Sequence, residues 1–200
     1  MISGCRDMLR WPRYAPLAAI YSGTSTHTGS SLSRPREENA LTKLMEYLLE
    51  PQTAVVFDID GVLAVYEFGN LSHSACPDEA WEDYVRTHDP YASSRPVPQI
   101  QRFIKDKGLD HVWACSQASD VEAPGKRAFV TRCYGLAPSH VITVAQKVEK
   151  VDFLRQLARK LEIPERRVAI VEDTVKTLDL IDRETDCVTV HVSSFFDYGM

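Results

Sequence analysis

The sequence predicts an α/β fold, a parallel sheet of about five strands with helices on both faces. From Glu37 onward, short apolar runs alternate with segments of helical periodicity. The apolar runs are continuous rather than alternating, as expected of strands covered on both sides. Polar clusters follow several of these runs, where a parallel sheet places its site, beyond the carboxyl ends of the strands. Together these make the class Rossmann-like.

Each element has its own signal. Leu41, Leu44, Met45, Leu48 and Leu49 recur at helical spacing, and Pro51 ends that helix. Ala54 to Ile59 reads as a buried strand. Asp78 to His88 reads as a short helix behind Pro77, with Trp81, Tyr84 and Val85 on one face as a small core. Val97, Ile100, Phe103 and Ile104 mark the next helix, ended by Gly108. His111 to Cys115 is a second strand, and Ala123 to Tyr134 a helix capped by Gly135. Val141 to Val144 is a third strand. Val148, Val151, Leu154, Leu157, Ala158 and Leu161 form a strongly periodic helix before Pro164. Val168 to Val171 is a fourth strand, Thr174 to Asp182 a helix, and Cys187 to Val192 a fifth strand.

Residues 1–36 differ from the rest. They are rich in Ser, Thr, Gly, Pro and Arg, with Asp7 as their one acid. That composition predicts a disordered, dispensable leader. Organellar transit peptides share it, so targeting is the alternative. Met45 stands just before the domain as a second start. Residues 37–200 then make one domain, with a small insert at about 64–98.

The bulk composition excludes several function classes. A net charge of −5 leaves no electrostatic footprint for nucleic acid or an anionic membrane. No apolar run approaches the length of a membrane span. Five scattered cysteines without a CxxC pair argue against a zinc knuckle or a redox motif, and favour reduced thiols in the cytoplasm. Cys115 lies in an apolar strand and reads as core. His73 and Cys76 are spaced like half a metal site, with no second half following.

Chemistry concentrates at the strand ends. Val55-Val56-Phe57-Asp58-Ile59-Asp60-Gly61 carries two carboxylates two apart, followed at once by a glycine. A turn at Gly61 lets both look into one pocket. Carboxylates that close repel, unless a cation neutralises them or one holds a proton. Metal-assisted nucleophilic chemistry answers that requirement. Ser116 ends the second strand, Lys147 follows the third, and Glu172 and Asp173 follow the fourth. Taken alone, each has a structural reading as a turn, a cap or a solvated lysine. Arg95, Gln117, Lys126 and Arg127 read as structural or solvent-exposed.

This order resembles the haloacid dehalogenase-like superfamily of phosphohydrolases over about residues 50 to 195. Phe57 to Leu63 resembles its first motif, Ser116 its second, Lys147 its third, and Glu172-Asp173 its fourth. Lys150 competes with Lys147 for the third; Lys147 is favoured because it lies closer to the strand end.

The resemblance implies magnesium-dependent hydrolysis of a phosphate monoester. Asp58 would attack phosphorus to give an aspartyl-phosphate, and Asp60 would serve as acid and then base. Ser116 and Lys147 would bind the phosphoryl oxygens. Asp58, the backbone carbonyl of Asp60, and Asp173 would hold Mg2+, supported by Glu172. An acid/base at Asp60 points to phosphate chemistry rather than dehalogenation.

A minimal cap would leave the site open to a phosphorylated small molecule or macromolecule, or to a lid from a neighbouring subunit in a homo-oligomer. Tyr66, Phe68, His73 and Trp81 would line its entrance. The alternatives are a phosphotransferase passing the phosphoryl group to an alcohol, or a non-catalytic binding module retaining the fold.

Overall fold

The computed structural model describes residues 42–65 and 78–199. The expectations for the leader at 1–36, for Tyr66 and Phe68, and for the His73/Cys76 pair lie outside the described residues.

Helix α1 (Lys43–Leu49) starts at Thr42, whose hydroxyl accepts from the Met45 amide, and it buries Met45 and Leu48. Strand β1 (Ala54–Phe57) follows, buried at every residue. The pair β2 (Ala64–Val65) comes next, then α2 (Asp78–His88) and the single turn α3 (Pro90–Ser93). Strand β3 (Arg95–Pro96) pairs antiparallel with β2 and so ties the two ends of the insert together. Neither the β2–β3 pair nor α3 is long enough to carry a periodicity, which is why the sequence pattern does not show them.

The remaining elements repeat one unit. They are α4 (Pro98–Lys107), β4 (Val112–Gln117), α5 (Ala123–Tyr134), β5 (Val141–Val144), α6 (Glu149–Lys160), β6 (Val168–Glu172), α7 (Val175–Glu184) and β7 (Val188–His191). The sheet runs in the order β5-β4-β1-β6-β7, and all its pairings are parallel. β1 is therefore central, with Val55 opposite Val112 on one side and Ala169 on the other.

Alternation along each strand feeds two separate cores. Val55, Phe57, Val112, Ala114 and Val171 face α1, α4 and α5, where Phe57 meets Phe103 and Phe195 edge to face. Val56, Trp113, Cys115 and Ile170 face the other way, against Val151 and Leu154 of α6 and Ile181 of α7. Both faces being covered explains why the strands read as continuous apolar runs. Burial raises the Cys115 thiol to about 12, so it is a core group rather than a nucleophile. No described helix is long and apolar enough to cross a membrane.

Candidate active site

Asp58 lies directly after β1, and its amide still donates to Val171 of β6 at 2.9 Å. The chain then turns tightly. The amides of Leu63 and Ala64 both donate to the Ile59 carbonyl, and Gly61 adopts φ +71. A side chain at Gly61 would be strained by that φ, and its Cβ would overlap the Asp173 carboxylate. The glycine thus permits both the turn and the close approach of the loop after β6. With alternation broken, Asp58 and Asp60 line the same cavity of about 820 Å³, together with Ser116, Lys150 and Asp173.

The lysine in contact with Asp58 is Lys150, not Lys147. Lys150 is fully buried, with Nζ 3.0 Å from Asp58 Oδ1 and 2.8 Å from Glu172 Oε2. Lys147 is exposed on the cavity wall. Proximity to the strand end is therefore not what decides: the segment from Ala145 to Val148 is exposed, so Lys147 starts from the surface. Side chains on a helix lean toward its N-terminus. The first turn of α6 therefore aims Lys150 back at the strand ends. Burial disfavours the Lys150 ammonium, yet Asp58 and Glu172 more than offset this and hold its pKa above the usual lysine value. Burial also raises Glu172, reinforced by Asp58 and opposed by Lys150.

Asp58, Glu172 and Asp173 place one carboxylate oxygen each within 4.8 Å of one another. Asp58 Oδ1 has its ion-pair contact with Lys150 but no hydrogen bond, and the buried Glu172 Oε1 has no hydrogen-bond partner. Hard carboxylate oxygens gathered this closely, one of them buried without a hydrogen-bond partner, fit a divalent cation such as magnesium. The Asp60 carboxylate stands outside this cluster, and the expected Asp60 ligand is its backbone carbonyl.

Asp60 instead faces donors on the other side. Lys126 Nζ lies 2.6 Å from Asp60 Oδ2, and the Tyr91 hydroxyl donates to Asp60 Oδ1 at 2.8 Å. Burial raises the Asp60 pKa above the ordinary carboxylate value, against the pull of Lys126. Ser116 is buried, with Oγ 3.4 Å from Lys126 Nζ.

Lys126 is the site residue that sequence reasoning missed. It is 1% exposed rather than solvated. Its position one turn into the helix after the Ser116 strand was the available signal, since helix N-termini gather at the same end of the sheet. Gln117 donates to the Ala145 carbonyl at the cavity edge, and Arg127 donates to the Thr143 hydroxyl. Trp81 does not line the cavity but donates to Glu122 Oε1 at 2.7 Å.

The chain is similar to haloacid dehalogenase-like hydrolases of known structure. A HAD family hydrolase from Deinococcus radiodurans R1, solved with phosphate and sodium, shares 15% identity over 70% of this chain and 80% of its own, with TM-score 0.47. A haloacid dehalogenase-like hydrolase from Streptococcus pneumoniae shares 11% over 74% and 90%, with TM-score 0.47. A 3-deoxy-D-manno-octulosonate 8-phosphate phosphatase from Yersinia pestis shares 12% over 76% and 71%, with TM-score 0.41. No protein-family model matches the chain, and no curated protein matches it either.

Proposed function

We propose that this chain hydrolyses a phosphate monoester, with Asp58 as nucleophile and Asp60 as acid and base. The observation that carries the reading is the separation of the two carboxylates into different partnerships within one cavity. Asp58 sits with Lys150 and the carboxylate cluster, while Asp60 sits with Lys126 and Tyr91. Two like groups whose surroundings differ this much suit two different roles.

Asp58 attacks phosphorus, and the bond from phosphorus to the leaving oxygen breaks as the aspartyl-phosphate forms. The leaving oxygen takes its proton from Asp60. Asp60 then accepts a proton from the water that attacks phosphorus, the bond to Asp58 breaks, and phosphate departs. Burial supports a protonated Asp60 by disfavouring its charged form. Ser116 donates to a phosphoryl oxygen, and Lys150 offsets the charge gathering on Asp58 and the phosphoryl group. Asp58, Asp173 and Glu172 would hold magnesium, which supplies Lewis-acid charge at the phosphoryl oxygens.

The cavity suits a phosphorylated small molecule, or the phosphorylated group of a larger partner. Phosphate release from a panel of monoesters, with and without magnesium, tests the reading. Release is expected from the wild type and not from a folded Asp58→Asn protein. Full activity of Asp58→Asn, or no release from any ester by the wild type, overturns hydrolysis.

A further inference from the structure

We infer that Lys126 is the positioning residue that holds Asp60 in place, and that the insert helix α2 seats Lys126 through Trp81 and Glu122. The inference rests on the hydrolase reading for the role of Asp60, and goes beyond it in assigning what governs that role.

The contacts form a continuous chain. Trp81 Nε1 on α2 donates to Glu122 Oε1 at 2.7 Å. The other oxygen of Glu122 accepts from the Ser119 amide at 2.8 Å, which fixes the carboxylate at the start of α5. Glu122 Oε1 stands 3.6 Å from Lys126 Nζ, and Lys126 Nζ stands 2.6 Å from Asp60 Oδ2. Lys126 also donates to the Gln117 carbonyl. Tyr91, on α3 of the same insert, holds the other Asp60 oxygen and lies beneath the lysine, with Nζ 5.8 Å from its ring centroid.

Both oxygens of Asp60 are thus fixed by donors from outside the β1 loop. A surface lysine does not behave this way. Burying an ammonium is costly unless it is paired and hydrogen-bonded, and Lys126 is wholly enclosed with acceptors around it. That arrangement fixes the direction in which Asp60 faces the cavity. Misplacing an acid by about 1 Å costs on the order of 100-fold in rate. The insert consequently does more than border the site: its seating at Glu122 and Asp60 is part of the alignment of the acid.

The test exploits leaving groups. p-Nitrophenyl phosphate releases an oxygen that needs no proton, whereas a simple alkyl phosphate releases one that does. For Lys126→Met we expect kcat/KM, which reports phosphoryl transfer to Asp58 and not the later step in which Asp60 acts as base, to fall about 100-fold on the alkyl ester, the range of a lost general acid, and to change less than about 3-fold on the nitrophenyl ester. Trp81→Phe keeps an aromatic ring on α2 and removes the indole N–H donor to Glu122, with part of the ring system. It should show the same selective loss at about 3- to 10-fold, and it decides the matter if Lys126→Met does not fold. The double variant Asp60→Asn/Lys126→Met should be no slower than Asp60→Asn alone.

Equal losses on both esters, or additive losses in the double variant, overturn the inference. A wild type inactive on every monoester overturns the hydrolase reading instead. The positioning claim is then judged by crystal structures of wild type and Trp81→Phe. A displaced or multiply placed Asp60 carboxylate in the variant supports it, and an unchanged one defeats it.

Discussion

Lys150 Nζ lies 3.0 Å from Asp58 Oδ1, and the lysine side chain has no exposed surface. The same nitrogen reaches Glu172 Oε2 at 2.8 Å, so one cation serves two buried carboxylates. This couples site and fold, because removing the lysine strands two anions in the interior. Breaking a buried pair from one side typically costs about 3–5 kcal/mol. We predict that Lys150→Met loses stability on that order in urea denaturation. Lys147→Met, at an exposed position, should stay within about 0.5 kcal/mol of wild type. Equal effects from the two substitutions would contradict the assignment of the buried lysine.

The carboxylate cluster carries a prediction independent of turnover. Asp173 is the exposed member, so its charge can be removed with little harm to the core. A ligand that binds only the folded state stabilises it by about 2.7 kcal/mol at 100 times its dissociation constant. Magnesium should therefore raise the Tm of the wild type over that in a chelator, and raise it much less in Asp173→Asn. Identical shifts in both proteins would remove Asp173 from the metal site.

Gly61 and Gly135 separate strain from crowding. Both have positive φ, +71 and +73. An added Cβ at Gly61 overlaps the Asp173 carboxylate, whereas at Gly135 it meets only Leu109 Cδ1 at 3.8 Å. Gly135→Ala should cost about 1 kcal/mol, the left-handed penalty alone. Gly61→Ala should cost more than Gly135→Ala, and should also reduce the Tm shift with magnesium by pushing Asp173 aside. Thermal melts with and without the metal measure both, and an unaltered metal response in Gly61→Ala would show that Asp173 has room to yield.

How much of this was legible depended on whether the signal was periodic. The five strands and the helices between them announce themselves because burial on both faces of a sheet forces runs such as Val168–Val171. Asp58, Ser116 and Glu172 were visible for a related reason: each polar residue interrupts or ends such a run. Lys150 and Lys126 were harder. Each lies within a helix, where a lysine ordinarily marks the solvated face, and only its place in the first turn after a strand signals that it points back at the strand ends. The pairings of Asp60 with Tyr91 and Lys126 span 31 and 66 residues, so they follow from topology rather than local pattern. Spacing within Asp58-Ile59-Asp60 alone left a neutralising cation or a held proton as answers to the crowding, whereas the fold also gives each carboxylate its own lysine.

Lys107 provides a pH test remote from the site. It ends α4 and donates to the Glu50 carbonyl beyond α1. Partial burial lowers its pKa from 10.5 to about 8, against the opposing pull of the Glu50 charge. The unfolded chain keeps the ordinary value, so between pH 8 and 10.5 it binds more protons than the folded protein does. Stability contributed by this group must therefore rise with pH across that window. Below about pH 8 both states are protonated and the cost of enclosing the ammonium is present in full; above 10.5 neither is, and the cost is gone. Lys107→Met removes the titrating group and keeps most of the stem. The difference in stability between variant and wild type should accordingly shift in favour of the wild type as pH climbs from 8 to 10.5. Urea midpoints at several pH values in that range measure it, and a difference independent of pH would mean that Lys107 titrates alike in both states.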